Sequence, residues 1–419
     1  MLADFVPLVK NSNFRYLWTS QVFSQLTIHI MNFLLLIRLF NETGSTIATS
    51  FLWVAYALPA ILIGPFAAAS VDMFDRRKLL MLTNLFQSAT IFFYALSHQT
   101  SLFLLYSVVV GYSFLNQFYA PAEFATLPGL VKKGNLAHAN GLFFLTQTVA
   151  MIFGFGVAGL LSFLFGFTQT LYLCSAFIFL AFVSVSFLPA MPVKEVIPKK
   201  FEQAFMKFFE RILEGYKYIK ERKNILFPFV LLMALQISVA VVVVNIPVLA
   251  TDILRISVES SGLIIVVPVG IGTAIGAVLF PKLLKKGWRK KKTIESSLMI
   301  LVLAVFMLAI GVAEISNLSR IFIGVLLIVV IGFSFSGVII PAQTFLQQTT
   351  PEGFRGRVFG NYWFLVTIAT IFPVLFGGVI AEIFSVRLLY MLLSAFALSL
   401  LIFSKKFAQE VIEESFQKD

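Results

Sequence analysis

Long apolar stretches separated by polar connections run along the whole chain. Most of them approach or exceed the roughly 20 apolar residues that a helix needs to cross a bilayer. The stretches are continuous and do not alternate between apolar and polar positions, which favours helices over the strands of a closed barrel. Twelve spans are predicted: residues 16–39, 48–71, 79–96, 102–122, 137–165, 170–188, 225–250, 260–283, 294–313, 321–342, 356–383 and 388–403.

The composition places these helices in a membrane. Hydrophobic residues make up 59% of the 419 positions and charged residues 12%, which leaves too few polar residues to cover a soluble globule. We therefore predict an all-α integral membrane protein. The first span is long enough to remain in the membrane, so we expect no cleaved signal peptide.

Basic residues concentrate on one side of the predicted membrane. Of the 32 Lys and Arg residues, 28 lie at the two ends or in connections that follow even-numbered spans. Because cytoplasmic connections carry the excess of Lys and Arg, we predict a multi-pass protein of the plasma (inner) membrane with both termini in the cytoplasm. The net charge of +12 then reflects orientation and contact with the lipid bilayer, and no nucleic-acid partner is expected.

The longest polar connection, residues 190–224, divides six spans from six. From Phe201 its apolar residues recur at helical spacing among Lys and Glu. This pattern is typical of an amphipathic helix on the membrane surface, with a solvated linker helix as the alternative. Four regions are predicted: an N-terminal six-helix bundle (1–189), the cytoplasmic linker (190–224), a C-terminal six-helix bundle (225–404) and a cytoplasmic tail (405–419).

The two halves resemble each other. "YAPAEFATLPGLVKKGNLAHANG" follows span four and "IIPAQTFLQQTTPEGFRGRVFGN" follows span ten. Each has Pro-Ala, then a second Pro, then basic residues, then Asn beside Gly. Parallel repeats of six spans are a known transporter layout.

These features together resemble the major facilitator superfamily. The resemblance rests on the long central connection, on the charged segment after span two, and on "NSNFRYLW", "ETGSTIATS", "PAEFATLPGLV" and "IPVLATDIL". Within the superfamily the chain is similar to an exporter subgroup that contains macrolide-efflux proteins and the enterobactin exporter. The resemblance implies two pseudo-symmetric six-helix halves that alternate in exposing a central substrate site.

The charged segment after span two matches the superfamily's hallmark motif. By that resemblance its acids contact the start of span eleven and hold the cytoplasmic side shut in one state. An acid at a helix end is favourable against a helix N-terminus or a guanidinium. Basic residues that only anchor the topology are the alternative, which leaves the two acids without a role. The predicted latch residues are Gly64, Asp72, Asp75, Arg76, Arg77, Lys78, Arg355 and Arg357.

Span one carries Gln21, Gln25, His29 and Asn32 at spacings of four, four and three, which puts them on one helical face. Polar side chains within a span usually face a bundle interior or a water-filled cavity, and span one lines the central cavity in the facilitator fold. We predict that these residues bind substrate; interhelical hydrogen bonds are the alternative. Further cavity candidates on other spans are Asn116, Gln117, Gln147, Gln236, Asn245 and Gln343.

Two residues are candidates for proton coupling. His29 is the one residue near the middle of a span that titrates near neutrality, and Glu123 lies near the cytoplasmic end of span four. The subgroup often has an acid where this chain has His29. "GFGVAGLL" resembles the antiporter signature of span five, with Phe155 in place of the usual Pro. The missing acid at the His29 position weighs against a proton-antiport mechanism.

Enzyme chemistry has no support in the sequence. The glycines of "GIGTAIG" lie inside an apolar span and not in a strand–turn–helix unit, so they predict no nucleotide site. The three histidines lie on different segments and make no metal cluster. The single cysteine, Cys174, has no partner for a disulfide. No cofactor, no metal and no enzymatic activity are expected.

The sequence therefore predicts a secondary active transporter that exports amphipathic small molecules, drug-like or macrolide-like, by alternating access. Its partners are a small-molecule substrate, the lipid bilayer and, for a coupled mechanism, protons, and we expect a monomer. A lysophospholipid or siderophore carrier on the same fold is an alternative. A membrane sensor or scaffold that transports nothing is a second alternative.

Overall fold

A computed structural model describes residues 6–71, 73–97, 101–132, 135–191, 201–310 and 316–416. These residues form helices joined by short turns and contain no β-strand. Twelve of the helices are long and apolar enough to cross a membrane. The predictions of an all-α membrane fold and of twelve spans are confirmed.

The chain forms two compact units. The first comprises Met1–Glu42 and Leu52–Phe208, and the second comprises Thr43–Phe51 and Phe209–Asp419. The beginning of one helix, α3 (Thr46–Ser70), thus belongs to the second unit and its remainder to the first. The helices up to the linker are α1 (Val6–Lys10), α2 (Ser12–Thr43), α3 (Thr46–Ser70), α4 (Arg76–Leu96), α5 (Leu102–Leu130), α6 (Leu136–Phe165), α7 (Phe167–Ser186) and the linker helix α8 (Phe201–Lys220).

A core at one end of the first unit joins helices of alternating direction. Buried residues from the beginnings of α2, α4 and α6 pack against residues from the ends of α5 and α7. Beginnings and ends meet in one cluster because consecutive helices run antiparallel, as short connections between spans require. The largest members of this core are Phe14, Leu17, Leu80, Tyr119, Leu127 and Phe143.

The second unit repeats this arrangement with six further spans. Its core joins the beginnings of α9 (Lys223–Val244), α12 (Lys290–Ile310) and α14 (Glu352–Ile383) to the ends of α13 (Asn317–Thr349) and α15 (Val386–Phe416). Ile219 of the linker helix also lies in this core. Tyr218 stacks on Phe354 with ring centroids 4.1 Å apart, and the Arg222 guanidinium lies 3.8 Å from the Tyr218 ring centroid. The helices after the linker are α9 (Lys223–Val244), α10 (Ile246–Val248), α11 (Val267–Lys285), α12 (Lys290–Ile310), α13 (Asn317–Thr349), α14 (Glu352–Ile383) and α15 (Val386–Phe416).

Large aromatic side chains project outward from both units. Phe103 is 77% exposed, Phe163 78% and Phe322 72%. Soluble proteins rarely expose apolar surface on this scale. Lipid chains solvate such side chains without cost, which agrees with the twelve apolar spans.

The connection between α9 and α11 departs from regular helix. The chain runs through two π-helical turns, Leu249–Leu254 at the end of the predicted seventh span and Gly262–Val266 near the beginning of the predicted eighth span. Between them Arg255 adopts a φ of 54°, in the left-handed region that non-glycine residues rarely enter. Such π turns often mark functional segments of helical proteins, and hydrophobic periodicity alone does not reveal them.

Helices α11 and α13 cross in backbone contact. A β-carbon added at Gly272 would lie 2.0 Å from the Val329 carbonyl oxygen, and one added at Gly332 would lie 2.1 Å from the Val269 carbonyl oxygen. Thr273 Oγ1 also donates to the Gly332 carbonyl oxygen at 3.2 Å. Gly272, which belongs to "GIGTAIG", therefore permits the close helix approach that small residues provide in membranes.

The crossing predicts the effect of a single methyl group. Gly272→Ala should lower the melting temperature of the purified protein, because α11 and α13 must separate and such overpacking costs about 1–3 kcal/mol. The measurement is thermal unfolding in detergent followed by intrinsic fluorescence. Gly141→Ala in α6 is the matched control, because a β-carbon there meets no atom within 4 Å. An equal melting temperature for Gly272→Ala and wild type would contradict the contact.

Candidate functional site

The polar stripe of α2, which is Gln21, Gln25, His29 and Asn32, is fixed at one end. Gln21 is fully buried and its Nε2 donates to the Phe143 carbonyl oxygen of α6 at 3.2 Å. The other three side chains are half-buried within their unit. The buried Gln21 Oε1 and His29 Nε2 have no hydrogen-bond partner among the described residues. The stripe thus offers polar atoms that its own unit does not satisfy.

His29 lies where α2 and α6 approach most closely in this stripe. A β-carbon added at Gly154 would lie 2.8 Å from the Cβ of His29. The neighbouring Phe155 ring meets the imidazole edge-on with centroids 5.3 Å apart, and it stacks on Phe33 at 5.2 Å. "GFGVAGLL" therefore places Gly154 and Phe155 against α2 and forms an aromatic wall beside His29.

A second polar face of α2 points to the opposite side. Ser20, Ser24 and Thr27 are all at most 3% exposed. Ser20 Oγ lies 3.2 Å from Tyr119 Oη of α5, and Asn84 Nδ2 of α4 donates to Ser20 Oγ at 3.2 Å. Sequence analysis missed this face, because Ser and Thr are common in spans and often bond only to their own helix.

Glu123 ends this chain of hydrogen bonds. It is 1% exposed, and Tyr119 Oη donates to its Oε1 at 2.8 Å. No Lys or Arg of the described chain forms an ion pair with it. A buried carboxylate without a cation is costly in a low-dielectric interior. Gain or loss of a proton at Glu123 therefore changes the hydrogen bond that Tyr119 donates to it. We call Glu123, Tyr119, Ser20 and Asn84 the acid network.

Beyond the hydrogen bonds of the acid network, α4 carries further buried polar atoms. Asn84 Oδ1 and both side-chain polar atoms of Gln87 are buried and have no partner among the described residues. Buried polar groups are nearly always hydrogen-bonded, to protein or to water. A buried polar tract therefore follows α4 away from Glu123.

The latch residues occupy several different places. Asp75 caps α4: its Oδ1 accepts from the backbone N–H of Arg77 at 2.9 Å and of Lys78 at 3.3 Å, and its Oδ2 accepts from the Met191 N–H at 3.3 Å. Arg76 donates to the Ala125 carbonyl oxygen at 2.8 Å. Gly64 is half-buried in α3.

Arg77 Nη2 donates to the Ser186 carbonyl oxygen at the end of α7, and the Lys78 side chain is exposed. Asp72 lies outside the described residues. Arg355 and Arg357 lie in α14, but their side chains are not described. The contact of Asp72 with span eleven stays a prediction.

The remaining cavity candidates divide by environment. Asn116 Nδ2 donates to Tyr56 Oη at 3.4 Å, and Gln117 Nε2 donates to the Ser113 carbonyl oxygen at 3.2 Å. Asn245 is fully buried at the end of α9, where its Nδ2 bonds the Val241 carbonyl oxygen at 2.8 Å. Those left are Gln147, which is exposed, and Gln236 and Gln343, which are half-buried.

The second unit contains a polar cluster that sequence analysis also missed. Glu382 of α14 lies at the beginning of α3, where its Oε2 accepts from Ser45 Oγ at 2.6 Å and from the Ile47 N–H at 2.9 Å. Thr46 Oγ1 donates to the Gly378 carbonyl oxygen at 2.7 Å, and Ser50 Oγ to the Val374 carbonyl oxygen at 3.1 Å. We call these contacts the α3–α14 clasp.

Two features of the sequence carried a signal for this clasp. "ETGSTIATS" holds five Ser and Thr residues, and Glu382 is an acid at the end of an apolar span. An acid near a helix N-terminus is favourable because of the helix dipole. Gly378 allows the approach, since a β-carbon there would lie 2.2 Å from Ser50 Oγ.

Comparison with known proteins assigns the family. The model of the Major Facilitator Superfamily matches residues 17–373. The chain belongs to the major facilitator superfamily. It is therefore a multi-pass membrane transporter of the secondary type that moves a small molecule, and not an enzyme.

Relatives across the superfamily agree with this assignment. The uncharacterized MFS-type transporter YfiS of Bacillus subtilis (strain 168) is 26% identical over 399 residues, which cover 92% of this chain and 91% of that protein. The fold is similar to the nucleoside transporter NupG (TM-score 0.70, 13% identity, 94% and 98% coverage). It is also similar to a bacterial homologue of the iron transporter ferroportin (TM-score 0.71, 15% identity, 94% and 98% coverage).

The clasp predicts a change in thiol accessibility in this superfamily member. In a Cys174→Ser background, a cysteine placed by Ser50→Cys should react slowly with maleimide, because residue 50 is fully buried. Adding Glu382→Ala should accelerate the labelling, since the beginning of α3 loses its carboxylate partner. Glu42→Ala, which removes an acid that pairs with Arg38 on α2, is the control and should leave the rate unchanged. Equal labelling rates with and without the Glu382 carboxylate would show that the clasp does not keep the beginning of α3 packed against α14.

Proposed function

We propose that this transporter exports amphipathic small molecules, drug-like or macrolide-like, across the plasma (inner) membrane by alternating access, and that proton entry at Glu123 drives the export. The observation that carries the proposal is that α2 contributes residues to two polar sets on different faces, which are the acid network and the polar stripe. Ser20 of α2 belongs to the acid network through its contact with Tyr119, and the next residue, Gln21, begins the polar stripe.

Coupling follows from these two faces. A proton that binds at Glu123 removes the charge that Tyr119 stabilises, and Ser20 shares the Tyr119 hydroxyl. A substrate on the stripe contacts the same helix from the other side. Two ligands that bias one helix between two positions influence each other's binding reciprocally.

The stripe suits an amphipathic substrate. Gln25, His29 and Asn32 provide hydrogen-bonding groups along the stripe, and Phe155 provides an aromatic surface beside His29. Apolar pockets with a few polar groups are typical of small-molecule sites. Export as the direction of transport is inferred from the resemblance to the exporter subgroup.

Coupling is tested by gradient-driven transport of a fluorescent lipophilic cation into liposomes that contain the purified protein. Glu123→Gln should keep the fold, because the amide oxygen still accepts from Tyr119, and should abolish stimulation by an imposed pH gradient. Glu295→Gln, which removes a partly exposed carboxylate paired with Lys291, is the matched control and should retain the stimulation. Gradient-driven transport by Glu123→Gln would contradict the proposed proton site.

His29→Ala in the same assay separates the two coupling candidates. If His29 contacts substrate, this variant should raise the KM and keep the response to the gradient. Loss of the response in His29→Ala, with the response kept in Glu123→Gln, would move the proton site to the stripe. Absence of transport by folded wild-type protein under any gradient would reject a cationic substrate and favour the siderophore or lysophospholipid alternatives.

The latch gives a further prediction about Asp72. Both carboxylate oxygens of Asp75 accept backbone hydrogen bonds within its own unit, so Asp72 is the acid that we expect to contact span eleven. Asp72→Asn should slow transport, whereas Asp75→Ala should mainly lower thermal stability through loss of the helix cap, a cost of about 1 kcal/mol. Transport rates and melting temperatures of both variants check this. Unchanged transport in Asp72→Asn would contradict the latch.

A further inference from the structure

Residues 282–292, which comprise the end of α11, the turn after it and the beginning of α12, form a strongly basic connection that the proposed function does not use. We call it the basic loop. It holds seven basic residues in eleven positions and no acid. Trp288 lies in its centre with 53% of its surface exposed. The basic residues are Lys282, Lys285, Lys286, Arg289, Lys290, Lys291 and Lys292.

A defined helix end shapes this loop. Gly287 has a φ of 90°, which suits glycine alone. Its N–H donates to the Leu284 carbonyl oxygen at 3.1 Å, and the Trp288 N–H donates to the Leu283 carbonyl oxygen at 3.2 Å. This pair of bonds is the Schellman arrangement that closes helices. The turn therefore holds the exposed indole and the surrounding cations in one place.

Most of these cations have no partner in the part of the chain that the structure describes. Lys290 donates to Gln348 Oε1 and lies 5.9 Å from the Phe345 ring centroid, and Lys291 pairs with Glu295 at 3.8 Å. In the described part of the chain no hydrogen bond, ion pair or ring contact engages the other five side chains. These are Lys282, Lys285, Lys286, Arg289 and Lys292.

The charges also oppose the local helix dipole. α12 begins at Lys290, so its first turn carries three lysines and no acid. The N-terminal end of a helix carries partial positive charge and favours anions. Repulsion within the loop adds to this cost. An anionic surface outside the protein would offset both the unfavourable interaction with the helix dipole and the repulsion among the cations of the loop.

The corresponding segment of the first unit behaves differently. Arg76 and Arg77 donate to backbone carbonyl oxygens at the ends of α5 and α7, and Asp75 caps the helix that follows. Those bases serve contacts inside their unit. The basic loop lacks the acid and the carbonyl contacts, so its cations are available to an external partner.

We propose that the basic loop binds the headgroups of anionic phospholipids in the leaflet that it faces. The loop joins two membrane-spanning helices with a short turn, which keeps it at the membrane surface. Trp residues prefer that interfacial depth. Clusters of four to eight Lys and Arg residues beside a span are typical of anionic lipid sites. The charge and the position thus both fit a lipid phosphate.

The test is lipid binding by the full-length purified protein, measured by native mass spectrometry with phosphatidylglycerol or phosphatidylcholine added. The triple variant Lys285→Gln/Lys286→Gln/Arg289→Gln should weaken phosphatidylglycerol binding by at least about ten-fold. The control Lys217→Gln/Lys220→Gln/Lys406→Gln removes the same charge from exposed positions elsewhere and should bind as wild type does. Equal loss in both triple variants would overturn the site in favour of a general effect of net charge.

A second variant keeps every charge of the loop. Trp288→Ala should lower phosphatidylglycerol binding without changing net charge or the orientation that basic residues impose, and protease accessibility of the C-terminus checks that orientation. Unchanged lipid binding in Trp288→Ala would overturn the role given to the indole.

Two outcomes with wild-type protein would also overturn the proposal. One is equal affinity for phosphatidylcholine and phosphatidylglycerol. The other is displacement of phosphatidylglycerol by inorganic phosphate, which would identify free phosphate as the ligand.

Discussion

A polar group inside a bilayer has no water to bond, and the hydrogen bonds that satisfy it therefore decide which helices meet. In the first unit, hydrogen bonds join Glu123, Tyr119, Ser20 and Asn84 across three helices. In the second unit, Glu382 satisfies the beginning of α3. Such interhelical bonds contribute only about 0.6–2 kcal/mol each. They are strong enough to select a partner and weak enough to exchange during a transport cycle.

Helix α2 shows how this constraint becomes a mechanism. Its Ser and Thr face joins the acid network, and its Gln and His stripe meets α6 through Gly154 and Phe155. A displacement of α2 therefore changes both surroundings at once. The close glycine contact leaves little freedom for independent side-chain adjustment, because packed interiors transmit strain. One helix thereby connects a buried carboxyl group to the polar stripe.

Basic residues serve two purposes in this chain. All but four lie on one predicted side of the membrane, which sets orientation. Their local contacts then differ: Arg76 and Arg77 bond carbonyl oxygens within the first unit, whereas most cations of the basic loop contact no described protein group. The same excess of charge thus stabilises helix ends in one half and faces outward in the other. Charge counts alone do not separate these uses.

The sequence alone predicts the twelve spans, the helical class and the superfamily, because continuous apolar runs and charged connections are local properties of the chain. It also placed Gln21, Gln25, His29 and Asn32 on one face, since helical spacing follows from residue number. Three contacts are visible only in the folded chain: Ser20 meets Tyr119, Glu382 meets the beginning of α3, and Asp75 caps its own helix. These contacts join residues far apart in the chain or depend on backbone geometry at a turn. Spacing along one helix carries no information about which neighbour packs against it.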